Sequence, residues 1–387
     1  MLELLDYSPH ILYQQLPKVR TMKLKCCEIV TGDSLVVDQL LAKLLNDYNQ
    51  IEITLIHANE SLCQNLIKTT CNAFNTSKIQ YKWMAHVNQA SNMQFDVVVA
   101  NLSSIAEDVS AIISPQVKIN ALPIALENIL RIGKNYSIFI DKFFLHSADF
   151  KNGRNLLKRC FIHSILDFNR VVINKSRFEI LNINFSNINQ SNKLVKVLST
   201  TTRITTSQDQ DEITSDDFPN WLIYMDDAFR AMREKMTFDI FDVDRDRQIN
   251  STMLSNQGKI GVLKSSHLSL DTIDPLVSFN ADPCFITTDH KTLAIDKYLN
   301  ADDVYLCPNM TAITRVFKKP KGYLINSSLS ILTLKCKDIE INEQDLAFWK
   351  SPEFHHFYRI ARNNSQRNLN IDKSAAFYFG VLNRNVI

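Results

Sequence analysis

The chain has 387 residues, 45% of them hydrophobic and 22% charged, the balance of an ordinary folded protein rather than a disordered one. Forty-three Lys and Arg stand against 41 Asp and Glu; the net charge of +2 excludes a strongly basic tail binder but permits a local cationic patch. Glycine is the outlier, with seven in the whole chain and only Gly32 in the first 130 residues. That scarcity excludes functions built on a glycine-rich phosphate loop. No apolar run approaches the roughly 18 residues of a membrane helix. The opening MLELLDYSPH carries acids where a secretory signal would carry basic and then apolar residues. The eight cysteines (26, 27, 63, 71, 160, 284, 307 and 336) contain no CxxC pair and no zinc-like spacing. They read as reduced, mostly buried thiols of a cytoplasmic protein.

In chain order, the spacing predicts a strand over residues 25–31 (KCCEIVT), then a helix over 34–45. In that helix Val37, Leu40, Leu41, Leu44 and Leu45 share a face. Strand 51–57 (IEITLIH), helix 61–74, strand 79–86 and strand 95–102 (FDVVVANL) follow. A helix over 121–132 closes at Gly133 as a C-cap, and strand 136–141 (YSIFID) comes next. A helix near 150–159 and the runs FIHSILDF and FEILNINF complete the series. Continuous apolar strands alternating with helices imply a doubly wound α/β fold, a parallel sheet covered on both faces. Residues 199–217 (STTTRITTSQDQDEITSDD) are polar and aperiodic, the composition of a linker or mobile surface loop. Beyond it, helical stretches at 220–236 and 343–363 alternate with short strands, as in a separate α+β recognition domain. The expected division is therefore 1–198, a linker 199–217, and 218–387.

Several segments stand in an informative order. Tyr7-Ser8-Pro9 with Leu12 and Leu16 comes first, then the loop Thr31-Gly32-Asp33-Ser34, the strand IEITLIHANE and the turn FDVVVANLSS. The second half carries VDRDRQI (243–249), GKIGVLKSSHL (258–268), LCPNMT (306–311), RVFKKPKGYLIN (315–326) and SPEFHHFYRIARNNSQRNLNID (351–372). Over nearly its whole length the chain resembles a γ-class adenine-N6 DNA methyltransferase of type II restriction-modification systems. The resemblance implies a Rossmann-like methyltransferase domain followed by a DNA target-recognition domain. It implies S-adenosylmethionine as methyl donor, held by Tyr7, Pro9, Gly32 and Asp33. It also implies an adenine flipped out of the duplex, with Asn101 accepting a hydrogen bond from its amino group. Departures from the family pattern concentrate at these motifs. Asn101-Leu102-Ser103-Ser104 lacks both prolines and the stacking aromatic, and the cofactor loop keeps one glycine. His57 stands for the ribose-binding acid and Asn88 for the acid on the adenine ring. The expectation is a DNA-binding member of the family with lost or strongly reduced methyl transfer; the alternative is an active enzyme with a divergent Asn101 site.

Residues suited to DNA persist in the second half. Arg315, Lys318, Lys319 and Lys321 set four cations within seven residues, flanked by Phe317 and Tyr323, a cluster that can neutralise phosphates. Residues 301–387 hold 12 Lys and Arg against 8 Asp and Glu. Phe354, Phe357, Tyr358 and Ala361 share the apolar side of a helix. Arg359, Arg362, Asn363, Arg367 and Asn370 supply the forked donors and acceptors that read base edges. The resemblance adds Arg245, Arg247, Gln248 and Lys264 to this set. Asp242, Asp244 and Asp246 would share a strand face and could hold magnesium, but the resemblance makes their segment a recognition loop instead. Ser265-Ser266-His267 departs from the Arg-rich family pattern. The His146/His163 and His355-His356 pairs lack metal-ligand spacing, so no metal is expected. The expected partners are double-stranded DNA and a catalytic methyltransferase or endonuclease, with no membrane contact.

Overall fold

A computed structural model describes residues 23–30, 36–74, 77–104, 121–173, 175–187, 193–200, 205–268, 277–279, 284–286, 292–309, 315–365 and 371–383. The chain divides into two compact units, Met1–Ile223 and Tyr224–Ile387.

The first unit runs β1 (Lys23–Ile29), α1 (Val36–Asp47), β2 (Gln50–Ile56), α2 (Glu60–Phe74), β3 (Ile79–Met84), β4 (Phe95–Asn101), α3 (Ala121–Leu130) and β5 (Gly133–Asp141). It continues through α4 (Lys151–Lys158), β6 (Phe161–Ile173), β7 (Ser176–Ser186), β8 (Leu194–Ser199), β9 (Thr205–Asp209) and α5 (Gln210–Ile213). These strands form one sheet in the order β3-β2-β1-β4-β5-β7-β6-β8-β9. β1 to β5 are parallel, whereas β7 runs antiparallel to both β5 and β6. The sheet is thus mixed where an all-parallel one was expected, because a tight β6–β7 hairpin replaces a helical crossover.

Why the strands read as mainly apolar runs is clear from their two faces. Leu24, Cys26, Ile51, Ile53, Leu55, Val97 and Val99 form one core with Val37, Leu41 and Leu44 of α1 and Cys63 and Leu66 of α2. Cys27, Val98, Ala100, Ile138 and Ile140 alternate to the opposite face and are equally buried. Gly133 is not the expected C-cap. It opens β5, and a Cβ there would lie 2.4 Å from Val98 Cγ2, so close packing against β4 selects glycine. Asn184 pairs laterally with Ser137 of β5 and Ser164 of β6. Its Nδ2 donates to Ser164 Oγ at 3.1 Å, and Asn182 Nδ2 donates to Ser137 Oγ at 3.0 Å. This buried polar ladder opposes any slip of β7 by one residue, which would strand its polar atoms in the apolar face. Lys142 and Asp167, both wholly buried, form a further pair at 2.6 Å.

Within the expected linker 199–217, part of the described chain is regular structure. Thr205–Asp209 is the edge strand β9, paired antiparallel with β8. Gln210 is buried, accepting from Ile162 N–H at 2.7 Å and donating to Cys160 O at 2.8 Å. The first unit therefore extends to Ile223, and Trp221, Leu222 and Ile223 are buried in it. The helix expected over 220–236 shortens accordingly.

The second unit contains α6 (Asp227–Glu234), β10 (Met236–Thr237), β11 (Phe241–Asp244), β12 (Ile260–Leu263), β13 (Phe285–Ile286), β14 (Val304–Pro308) and β15 (Phe317–Lys318). It ends with β16 (Tyr323–Ile325), β17 (Leu329–Leu334), α7 (Glu343–Phe348), α8 (Pro352–Ala361), α9 (Lys373–Ala376) and β18 (Val381–Leu382). The strands make three small sheets, β10-β18, β11-β17-β14-β15 and β13-β12-β16. Val262, Leu306, Phe317, Leu324 and Ile331 centre one core. Phe229 stacks on Phe357 at 4.6 Å, and Phe354 lies 5.6 Å from Phe379 in an aromatic second cluster. Asp226 caps α6 by accepting from Phe229 N–H at 2.8 Å, a contact worth about 1 kcal/mol. The single helix expected over 343–363 is two. Pro352 takes the first turn of α8, Ser351 Oγ caps it at 3.1 Å from Phe354 N, and Trp349 between the helices is buried with its indole N–H on Gly380 O at 2.9 Å. The four apolar residues of 353–362 are buried as expected.

Candidate functional site

Open α/β sheets bind ligands at the carboxyl ends of strands where the strand order reverses. In the first unit that point lies between β1 and β4, since β2 and β3 extend to one side and β5 to the other. Asn101 ends β4 there and is buried. Its Oδ1 accepts from Ser103 N–H at 3.1 Å and from Ser103 Oγ at 2.6 Å, closing a local Asx turn. Ser104 completes the turn, donating from N–H and Oγ to the two Asp141 carboxylate oxygens, each at 2.8 Å.

At the end of β2, the buried His57 uses Nδ1 to accept from Asn59 N–H at 2.9 Å. That bond assigns the ring proton to Nε2, so the ring presents a donor where a carboxylate would present two acceptors. The His57 carbonyl accepts from the Trp83 indole at 2.9 Å. Asn88 is exposed, and its N–H is spent on His86 Nδ1 at 3.2 Å in a capping box. Sequence reasoning missed Glu28, a buried acid inside β1 whose Oε2 accepts from Val37 N–H at 2.8 Å in the first turn of α1. A carboxylate is stabilised at that helix end by the exposed N–H groups and the dipole. The signal was available: one acid in the apolar run KCCEIV. Tyr7, Pro9, Gly32 and Asp33 lie outside the described residues. The acceptors seen at the ends of β2 and β4 are thus engaged in local turns and do not fit the ribose diol of S-adenosylmethionine or an adenine amino group.

The candidate cations of the second unit differ in their surroundings. Arg245, Arg247 and Gln248 follow β11 and line one cavity of about 610 Å³ with Lys373, a residue sequence reasoning did not single out. Lys318 is exposed on β15 and borders a second cavity of about 520 Å³ with Lys297 and Lys337. Lys321 is exposed but pairs with Asp302 at 2.7 Å. Arg359 is exposed on α8, while Lys264 and Arg315 are half-buried.

Three of the expected DNA contacts are corrected by burial. Lys319 is buried, with Nζ donating to Leu299 O at 3.0 Å and Pro320 O at 2.9 Å. Loss of water around the ammonium lowers its pKa from 10.5 to about 8. Arg362 is buried with Nη1 on Ser374 Oγ at 3.0 Å. Asn363 is fully buried at φ +52°, and it and Asn364 (φ +53°) end α8 in the left-handed region that asparagine tolerates. Arg367 and Asn370 lie outside the described residues. The three aspartates do not share a strand face either. Asp246 lies past β11, buried, its carboxylate taken by the N–H groups of Gln248 at 2.9 Å and Ile249 at 3.1 Å. Among the described residues no three His, Cys, Asp or Glu side chains are grouped to hold a metal ion, and no helix is long and apolar enough to cross a membrane.

The first unit is thus a mixed α/β fold built on one nine-stranded sheet, with β1 to β5 parallel and β7 reversed. No protein-family model matches the chain, and no curated protein does. Among solved structures the chain is similar to the type IIG restriction endonuclease BpuSI, with a TM-score of 0.48 and 12% identity over 97% of this chain and 58% of that one. It is similar to the methyltransferase subunit of a type I restriction-modification system from Streptococcus thermophilus, with a TM-score of 0.40 and 10% identity over 56% and 58% of the two chains. A third is the M protein of the type I restriction enzyme EcoKI, with a TM-score of 0.36 and 11% identity over 50% and 48%. The chain spans 58% of the length of the first two and 48% of the third.

Proposed function

We propose that this chain is a DNA-binding protein of the restriction-modification adenine-N6 methyltransferase type in which methyl transfer is lost or strongly reduced. The observation that carries this is the closed turn at the end of β4. Asn101 Oδ1, the atom that would accept from an adenine amino group, is held by both donors of Ser103, and Ser104 is tied to Asp141. Freeing Asn101 would break a buried hydrogen bond, at a cost of about 1 kcal/mol or more, and no aromatic follows to stack on an extruded base. In the second unit Arg247, Lys318 and Arg359 remain exposed and able to meet phosphates. In this role the protein would recognise double-stranded DNA for a catalytic methyltransferase or endonuclease partner, in the cytoplasm.

A second reading, an active site-specific adenine-N6 methyltransferase using S-adenosylmethionine, is favoured by one observation: Asn101 stands at the switch point of the sheet. Transfer of tritiated methyl groups to mixed-sequence DNA separates the two. Background incorporation with salt-dependent DNA retention supports the first; incorporation abolished by Asn101→Ala replaces it with the second.

A further inference from the structure

We propose that the cavity beyond β11 receives one nucleotide, with its phosphate on Arg247 and Lys373 and the acceptor edge of its base on Arg245 and Gln248. The proposal rests on DNA binding by the second unit and says where and with which groups one residue of the strand is held.

Three carboxylates border this cavity, and all three are already engaged. Asp244 accepts from Arg245 N–H at 2.8 Å and the Tyr298 hydroxyl at 3.0 Å, with Lys297 Nζ at 3.3 Å. Asp246 accepts from two backbone N–H groups of its own turn. Asp372 accepts from Ala375 N–H at 2.8 Å and Ser374 Oγ at 2.9 Å. These bonds fix the carboxylates in place, and their charge is balanced by Arg245, Arg247 and Lys373 around the cavity and by Lys297 beside Asp244.

The donors differ. Arg245 is anchored through Nε on Ser327 O at 2.8 Å, which leaves the guanidinium's Nη groups as a fork of fixed plane. Gln248 has its Oε1 taken by Ala294 N–H at 2.7 Å, so its amide nitrogen is the group left to act. Arg247 and Lys373 are exposed and form no ion pair among the described residues. A volume of about 610 Å³ with donors on its rim and the apolar side chains of Val243 and Ile371 in its wall suits a mononucleotide-sized, acceptor-rich ligand. Two exposed cations suit a phosphate as point charges. An anchored guanidinium and an oriented amide suit the fixed acceptor geometry of a purine edge.

The same chemistry could be met by a nucleotide of bound DNA or by a free one, and the full-length chain distinguishes them. Fluorescence anisotropy with labelled duplexes of differing sequence, from 50 to 300 mM salt, is compared for wild type, the double variant Arg247→Gln/Lys373→Gln, and Arg245→Lys. The double variant is expected to lose affinity uniformly across sequences, with the slope of log K against log salt falling by about 2. Arg245→Lys is expected to keep that slope and relax sequence preference. Guanosine monophosphate should compete for wild type well below the concentration at which inorganic phosphate does. Unchanged slope in the double variant, with wild type binding DNA, overturns the cavity assignment and leaves DNA binding standing. Equal competition by inorganic phosphate also overturns it, reducing the cavity to an anion site. If wild type binds the mononucleotide but no duplex, the DNA reading falls and the cavity stands as a free-nucleotide site. Circular dichroism melting of each variant confirms that the fold is retained.

Discussion

Replacing Lys319 with Met isolates the energetic cost of a charged amine held by two backbone carbonyls. In the folded protein, burial lowers the pKa of this ammonium from 10.5 to about 8. Below pH 8 the folded and unfolded chains both carry the proton, and the stability difference is constant. Between 8 and 10.5 the unfolded chain keeps a proton that the folded chain has released, so unfolding takes up a proton and stability climbs with pH. At roughly 1.4 kcal/mol per pH unit the full gap corresponds to about 3 kcal/mol, an upper bound on the rise. Lys319→Met removes that dependence. It leaves Pro320 O without the lysine donor, while Leu299 O retains Gly322 N–H at 2.9 Å, a pH-independent loss of about 1 kcal/mol. Urea unfolding of both proteins at pH 7, 8, 9 and 10 gives the difference curve, in which most other titrations cancel. Stability of wild type relative to the variant should be flat to about pH 8 and then rise. A difference that stays flat to pH 10 would refute the buried-amine account and return Lys319 to the set of phosphate-binding cations.

Lys142→Met should destabilise the first unit by about 3–5 kcal/mol in thermal or urea unfolding, because the buried Asp167 carboxylate loses its ammonium partner; Lys142→Met/Asp167→Leu should recover most of it, and an additive double variant would contradict the pairing. Lys318→Ala should lower the salt slope of DNA retention by about 1, whereas Lys319→Ala should leave the slope unchanged; equal effects from both would contradict the burial of Lys319. Wild type should transfer tritiated methyl groups to DNA no faster than Asn101→Ala does, and a clear excess would show that the β4 turn opens to a substrate. Ser103→Ala should cost about 1 kcal/mol in urea unfolding by removing the 2.6 Å bond to Asn101; no change in stability would mean that bond is not formed in solution.

The α/β character of the first 185 residues was legible in the sequence because strands buried on both faces must be mainly apolar, and KCCEIVT, IEITLIH and FDVVVANL are, with single acids at Glu28, Glu52 and Asp96. Helix 34–45 was equally plain, since Val37, Leu41 and Leu44 recur at the period that faces a sheet. The position of Asn101 at a strand end was also readable from the apolar run before it. The state of its side chain was not. Whether Oδ1 faces a substrate or Ser103 depends on the turn that follows, which pattern alone does not specify.

Only the tertiary structure decided the rest, and the reason is the same in each instance: backbone pairing and burial act between residues far apart in sequence. β9 is polar and aperiodic, yet it joins the sheet because an edge strand needs only the backbone groups of β8. The reversal of β7 is set by its hairpin with β6, not by its composition. Lys318, Lys319 and Lys321 look alike as letters in RVFKKPKGYLIN. One is exposed, one is sunk onto two carbonyls, and one is paired with Asp302. Charge is a property of the residue, but its availability to a ligand is a property of what surrounds it.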